Sequence, residues 1–264
     1  MSSQSTTSTI AAAADRLASA AATGVPCAPV RDLIGRDDLE AAYAVQRRLA
    51  ELREAAGATV VGRKIGLTSE AVQQQLGVDQ PDLGLLFDDM QYGDGEAIPV
   101  GRLLQPRVEA EVAFVLGADL VDGPLDAAQV RGAIEYAVAA LEICDSRIAA
   151  WDISFGDTVA DNASAGLYVL GTQRRTLDEV EPAEVVMEMA VDGHQVSTGV
   201  GTACLGDPVA AVGWLARTAR DLGQPLRAGQ VVLSGALGPM KPVAAGNAVT
   251  ATLSGLGAVT ARFQ

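Results

Sequence analysis

Apolar and polar positions divide the chain into a helical opening and a β-rich remainder. Residues 10–22 are Ala-rich and helix-prone, with Gly24 and Pro26 placed to stop a helix, and the first eight residues read as a polar, mobile tail. Leu39, Tyr43, Gln46, Leu49 and Leu52 recur on one side of a second helix, expected from Asp38 to about Ala56 and ended by Gly57. The pattern then turns to β. Thr59–Ile65 reads as a strand, a Gly-, Asp- and Pro-rich loop region follows to about Pro99, and Glu109–Leu116 is the next strand. Leu125 to about Leu141 is helical in pattern, and Glu142–Ile148 returns to extended structure.

The remaining elements carry clearer punctuation. Met187–Val191 and Gln195–Thr198 flank Asp192-Gly193, a strong two-residue hairpin signal. A helix is expected from Asp207 to Leu222, with Asp207 as its cap, Pro208 in its first turn and Gly223 just beyond its end. Val231–Ser234, Ala248–Leu253 and Ala258–Phe263 close the chain as strands. The expectation is an α+β fold: residues 1–57 form a tail and helical N-terminal arm, and residues 58–264 form a β-rich domain bearing the chemistry.

Within the Glu109–Leu116 strand, Glu109 and Glu111 project from one face, while Val108, Ala110, Val112 and Phe114 line the other. A solvated strand edge would look the same. If buried, paired carboxylates repel unless something positive lies between them, and a hard divalent cation such as Mg²⁺ or Mn²⁺ is the usual solution. Glu142, in the apolar passage ALEICDSRI, could be the third oxygen donor of such a site or a partner for Arg147.

Composition narrows the class. Of 264 residues, 49% are hydrophobic and 20% charged, which describes a globular chain with ample core. A net charge of −14 offers no basic field for nucleic acid. No apolar run approaches the ~20 residues of a membrane span, and the N-terminus lacks a secretory pattern, so the cytoplasm is expected. Cys27, Cys144 and Cys204 fit neither a disulfide framework nor a zinc pattern and read as reduced, mostly buried thiols.

Lys64, in VVGRKIGLT, is flanked by apolar residues and glycines, a setting that could desolvate it and lower its pKa, or simply an edge-strand charge. Asp79 and Asp82 sit in an expected loop, and Asp161, Asn162 and Ser164 form a polar knot between apolar strands. Ser234, Gly235, Ala236 and Leu237 form a small-residue turn whose backbone N–H groups could approach a carboxylate, without the Lys-Ser/Thr of a phosphate loop. His194 is the single histidine and falls in the expected hairpin turn, which removes most His-dependent mechanisms; no dinucleotide fingerprint is present.

Taken together, VVGRKIGLT, VQQQLGVDQPDLG, LLQPRVEAEVAFVLG, ALEICDSRI, DTVADNASAGLYVLG, CLGDPVAAVGWLAR and SGALGPM resemble the 2-hydroxypenta-2,4-dienoate hydratases of the fumarylacetoacetate hydrolase superfamily, over nearly the whole chain from about residue 28. The resemblance implies a mixed, strongly curved β core with peripheral helices. It also implies Mg²⁺ or Mn²⁺ on Glu109, Glu111 and Glu142, with Lys64 and Asp82 as catalytic groups. The turns at Asp161, Asn162 and Ser164 and at Ser234, Gly235, Ala236 and Leu237 would line the pocket for a small anionic dienoate. Hydration to 4-hydroxy-2-oxopentanoate in meta-cleavage catabolism is the implied reaction, with homo-oligomerisation and a pathway decarboxylase or aldolase as partner. A 4-oxalocrotonate decarboxylase on the same scaffold is the nearest rival. An acylpyruvate-type hydrolase would want a histidine before residue 194, and a silent scaffold subunit would have no reason to keep clustered charge.

Overall fold

A computed structural model describes residues 3–69, 73 and 78–264; Val72 and residues 74–77 of the VQQQLGVDQPDLG stretch lie outside the described residues. The N-terminal arm comprises α1 (Ser3–Thr23), α2 (Arg31–Ile34) and α3 (Leu39–Ala55). Helix α1 starts at Ser3, so the segment expected as a polar tail is helical over residues 3–8. Asp38 caps α3 by accepting from Ala41 N at 3.0 Å, and Gly57 follows it at φ +100°. The arm does not stand apart. Leu17, Ala42 and Val45 share one buried cluster with Ile148, Phe155 and Val159.

The β strands begin with β1 (Val60–Gly66) and β2 (Asp82–Phe87), followed by β3 (Gln91–Tyr92), β4 (Ala97–Ile98) and β5 (Arg107–Leu116). The expected loop therefore contains a strand: Leu83, Leu85, Leu86 and Phe87 are all buried, and β2 pairs antiparallel with β1. A second difference follows. The expected helix over 125–141 is short, α4 (Ala127–Ala133), and the chain then enters β6 (Ile134–Cys144). Strand β6 lies between β5 and β7 (Ala165–Leu170), and Ala137, Ala139 and Ala140 are fully buried there. Pairing on both edges overrides the helical preference of these alanines.

Helix α5 (Phe155–Ala160) precedes β7, and β8 (Val186–Val191) pairs with β9 (His194–Val200) across Asp192-Gly193. Both turn residues have positive φ, +52° and +78°, as a type I′ hairpin requires. Asp207 caps α6 (Pro208–Asp221) through Val209 N at 2.8 Å. Strands β10 (Val231–Ala236), β11 (Lys241–Pro242), β12 (Ala248–Leu253) and β13 (Gly257–Phe263) complete the chain.

Among the described residues the strands form two mixed sheets. The larger runs β2-β1-β10-β5-β6-β7-β3 with β11 on β5, and the smaller runs β4-β13-β12-β8-β9. Their facing apolar sides, including Phe114, Leu141, Val249 and Phe263, belong to one core. Helices α3 and α5 close one flank, where buried Gln46 donates to Leu83 O and Val159 O, each at 2.9 Å. This anchors the arm to α5 and to β2, the strand paired with β1.

Candidate active site

Central pairing in the larger sheet creates the site. Glu109 and Glu111 share a face of β5, and Glu109 stands opposite Glu142 of β6. On β1, Lys64 is flanked by Leu233 of β10 and Gly84 of β2. All four side chains are buried, so the solvated-edge reading of Glu-x-Glu does not hold here. Lys64 Nζ lies 3.1 Å from Glu142 Oε1 and donates to Ala163 O at 3.0 Å.

Irregular backbone aims the remaining polar groups. The β5–β10 register shifts between Leu233 and Ala236, and Gly235 turns its N–H onto Glu111 Oε2 at 2.8 Å. Gly235 has φ +116°, and a Cβ there would meet Thr68 Oγ1 at 2.4 Å, so the position requires glycine. Asn162, Ala163 and Ser164 are consecutive left-handed residues, at φ +55°, +51° and +53°. Such residues store roughly 1–3 kcal/mol of strain each and persist only when their surroundings hold them. Asn162 supplies that hold through Leu85 N at 2.7 Å and Leu85 O at 2.9 Å. Asp161 adds to it, accepting from Arg147 N at 2.9 Å and Arg147 Nε at 2.5 Å.

Lys64, Asp82, Glu109, Ser164, Ala236 and Leu237 line a cleft of about 770 Å³. Glu111 and Glu142 are buried and do not line it. The cleft also leaves out Asp161, Asn162, Ser234 and Gly235, which the sequence placed against substrate; the Gly235 N–H is spent on Glu111. Asp161 and Asn162 are committed to the strained turn, and the Ser234 hydroxyl donates to Val112 O at 2.7 Å. Asp79 and His194 are exposed and do not line it. Three cleft residues carry no motif signal of their own in the sequence: Arg107, Trp151 and Thr158. Only Arg107 could have been anticipated, because it shares a strand face with Glu109.

Electrostatics follows from burial of like charges. Burial, then the charge of Glu142, pushes Glu109 and Glu111 above the ordinary carboxylate range. Asp82 is raised as well, chiefly by burial, with Lys64 opposing. Lys64 departs from the lowered pKa expected of a desolvated lysine. Burial does push it down, but Glu142, with Cys144, Asp82 and Glu109, outweighs that and holds the ammonium well above its usual range.

Several buried oxygens accept no hydrogen bond: Asp82 Oδ1, Glu111 Oε1 and both oxygens of Glu142, whose approach to Lys64 is an ion pair without hydrogen-bond alignment. Unpartnered buried carboxylate oxygens fit a hard divalent cation, and Glu109, Glu111 and Glu142 are the residues that would hold one. Ligand atoms of Glu109, Glu142 and Cys144 lie within 4.8 Å of one another. The Cys144 thiol donates weakly to Glu109 at 3.6 Å, and burial pushes its pKa well up, so it reads as a neutral neighbour.

A curled mixed sheet with helices outside and a carboxylate-lysine cleft within is the architecture of a known class. The fumarylacetoacetate (FAA) hydrolase C-terminal family matches residues 53–264, and the chain belongs to that family. It is 54% identical to the TodF product hydratase of Pseudomonas putida strain F1, covering 97% of this chain and 96% of that one. It is 52% identical to the 2-keto-4-pentenoate hydratase of Burkholderia vietnamiensis, covering 96% and 97%. Among solved structures, 4-oxalocrotonate decarboxylase from Pseudomonas putida G7, complexed with magnesium and adipate, superimposes with a TM-score of 0.93 at 32% identity, covering 97% of each chain. No helix among the described residues is long and apolar enough to cross a membrane.

Proposed function

We propose that this protein is a divalent-cation-dependent hydro-lyase that converts 2-hydroxypenta-2,4-dienoate to 4-hydroxy-2-oxopentanoate in meta-cleavage catabolism of aromatic compounds. The observation that carries this reading is 54% identity to a hydratase over 97% of the chain. The cleft chemistry agrees with it. Glu109, Glu111 and Glu142 would hold Mg²⁺ or Mn²⁺ at the inner end of the cleft. A bound cation there supplies charge neutralisation for a 2-oxo acid and stabilises its enolate.

The chain's own groups then handle protons. Ketonisation of the dienol moves the enol proton to solvent or protein and places a proton on C5, and water adds at C4 with its second proton going to C3. Lys64 stays charged, so it suits proton donation and hydrogen bonding to developing oxyanion charge. Asp82 faces it with one unpartnered oxygen and a second held by Thr158 Oγ1 at 3.3 Å, which suits it to steer water or a proton. His194, the single histidine, is exposed and does not line the cleft, so proton handling is assigned to these two groups. We place the enzyme in the cytoplasm as a homo-oligomer, working beside a pathway decarboxylase or aldolase.

The alternative with a specific observation behind it is decarboxylation of a dicarboxylic 2-oxo-enoate, given the 0.93 TM-score to a decarboxylase. One experiment separates the two. Freshly generated 2-hydroxypenta-2,4-dienoate is followed by ultraviolet decay and product mass, with Mg²⁺ or Mn²⁺ and after chelation. Cation-dependent decay with gain of one water supports the hydratase. Absence of decay, together with CO₂ release from 4-oxalocrotonate, would replace it with the decarboxylase.

A further inference from the structure

Arg107 occupies an unusual position for a cation. It stands on the same face of β5 as Glu109 and Glu111 and lines the cleft with Glu109. Two residues along a strand are roughly 7 Å apart, within reach for an arginine side chain. Even so, Arg107 forms no ion pair with Glu109 or any other carboxylate among the described residues. Its guanidinium instead lies over the Trp151 ring, with Cζ 4.3 Å from the centroid.

That platform is built. The Trp151 indole N–H donates to Gln105 O at 3.1 Å, and Gln105 Nε2 donates to Ser146 O and Ile148 O at 2.9 and 2.8 Å. Gln105 Oε1 accepts from Ala150 N at 2.7 Å, and both Ala150 and Trp151 adopt left-handed backbone, at φ +58° and +57°. Among the described residues no hydrogen bond or ion pair occupies the Arg107 guanidinium, so its N–H fork is free for a carboxylate, a partner it can receive through two bonds. The other cleft-lining cation, Lys64, is already engaged by Glu142 and Ala163 O.

We infer that Arg107, held on Trp151, is the anion-recognising residue of the cleft and binds the carboxylate adjoining the 2-oxygen of the substrate. This assignment deepens the proposed function, resting on that reading for the identity of the substrate. It frees Lys64 from holding the carboxylate and leaves it for proton transfer. It also orients the acid along the row from Arg107 to Glu109, with the carboxylate at the Arg107 end.

The test compares Arg107→Met, which keeps length and removes charge, with Arg107→Lys, which keeps charge and removes the fork. Steady-state turnover of 2-hydroxypenta-2,4-dienoate is measured alongside calorimetric binding of pyruvate and of 2-oxoadipate to the Mg²⁺-loaded protein. Loss of a charge-assisted pair should raise KM and weaken pyruvate by about 10- to 100-fold in Arg107→Met, with a smaller change in kcat and partial recovery in Arg107→Lys. A structural role alone would instead lower the melting temperature and kcat without selectively raising KM. Unchanged pyruvate affinity and KM in Arg107→Met would overturn the inference. So would a loss confined to 2-oxoadipate, which would move Arg107 to a distal carboxylate. If the parent protein turns over no dienoate yet binds pyruvate in an Arg107-dependent way, the hydratase reading falls and the anion site stands. Should Arg107→Met not fold, Arg107→Lys with Trp151→Leu carries the same comparison.

Discussion

Burying three carboxylates and one lysine together at the active site has a measurable consequence for the metal-free protein. Glu109 ordinarily titrates near 4.5, and burial first, then the charge of Glu142, raises it to about 7 in the folded chain. Between those pH values the unfolded chain releases this proton while the folded chain keeps it. Stability from this group is therefore fully present below about 4.5, declines as pH rises, and is lost above about 7. The interval, at about 1.4 kcal/mol per pH unit, is about 3 kcal/mol. For a chain of this size that corresponds to roughly 6–12 °C in melting temperature. Glu111 is displaced in the same direction and adds to the slope. The perturbation is Glu109→Gln, and the assay is thermal unfolding of parent and variant in chelator at pH 5, 6, 7 and 8. The variant should gain on the parent from pH 5 to about 7 and level off by pH 8, because its amide cannot ionise. Restoring Mg²⁺ or Mn²⁺ should stabilise the parent more at pH 8 than at pH 5, since protons compete with the cation. A constant difference between parent and variant from pH 5 to 8 would refute the reasoning.

Other predictions follow from single contacts. A Cβ at Gly66 would stand 2.2 Å from Asp82 Oδ1 and 3.2 Å from Lys64 Nζ, so Gly66→Ala should cut kcat on the order of 100-fold by displacing both groups, read in turnover with circular dichroism unchanged. Lys64→Met should lower kcat by about 10²- to 10⁴-fold while cation binding, followed by calorimetry, persists. Asp157 is fully buried and accepts from Val30 N, Arg31 N, Arg31 Nη1, Ser154 N and Ser154 Oγ; Asp157→Ala strands those donors and should cost about 3–5 kcal/mol in urea unfolding. A loss under 1 kcal/mol would mean that the N-terminal arm is not latched through this residue.

Local signals in the sequence were sufficient where chemistry acts over a few residues. The Asp38 and Asp207 caps, the Asp192-Gly193 hairpin and the glycines after α1, α3 and α6 all appear where residue type demanded them, because capping and positive φ are decided by the residue itself. The Glu109–Glu111 spacing likewise placed two carboxylates on one face through strand periodicity alone. Their burial could not be read that way. It depends on β6 and β10 covering both edges of β5, and one of those partners, β6, looked helical because its alanines satisfy either state. Asp82 was legible as a residue and not as a strand, since the apolar run after it has meaning only beside β1.

The tertiary structure also decided which polar residues face the cleft. Asp161, Asn162 and Ser164 are neighbours in sequence, yet three consecutive left-handed residues split them: only Ser164 reaches the cavity, and the others secure the turn. Lys64 could be picked out by its apolar setting, but the sign of its pKa change depended on how near Glu142 came across two strands. Arg107 stood in plain view one position from Val108 and acquired significance only when Trp151, 44 positions later, was found beneath it. Residue type and period establish what each side chain can do and which way it alternates. Long-range pairing establishes which of those side chains meet out of water, and charge, strain and chemistry in this protein follow from that meeting.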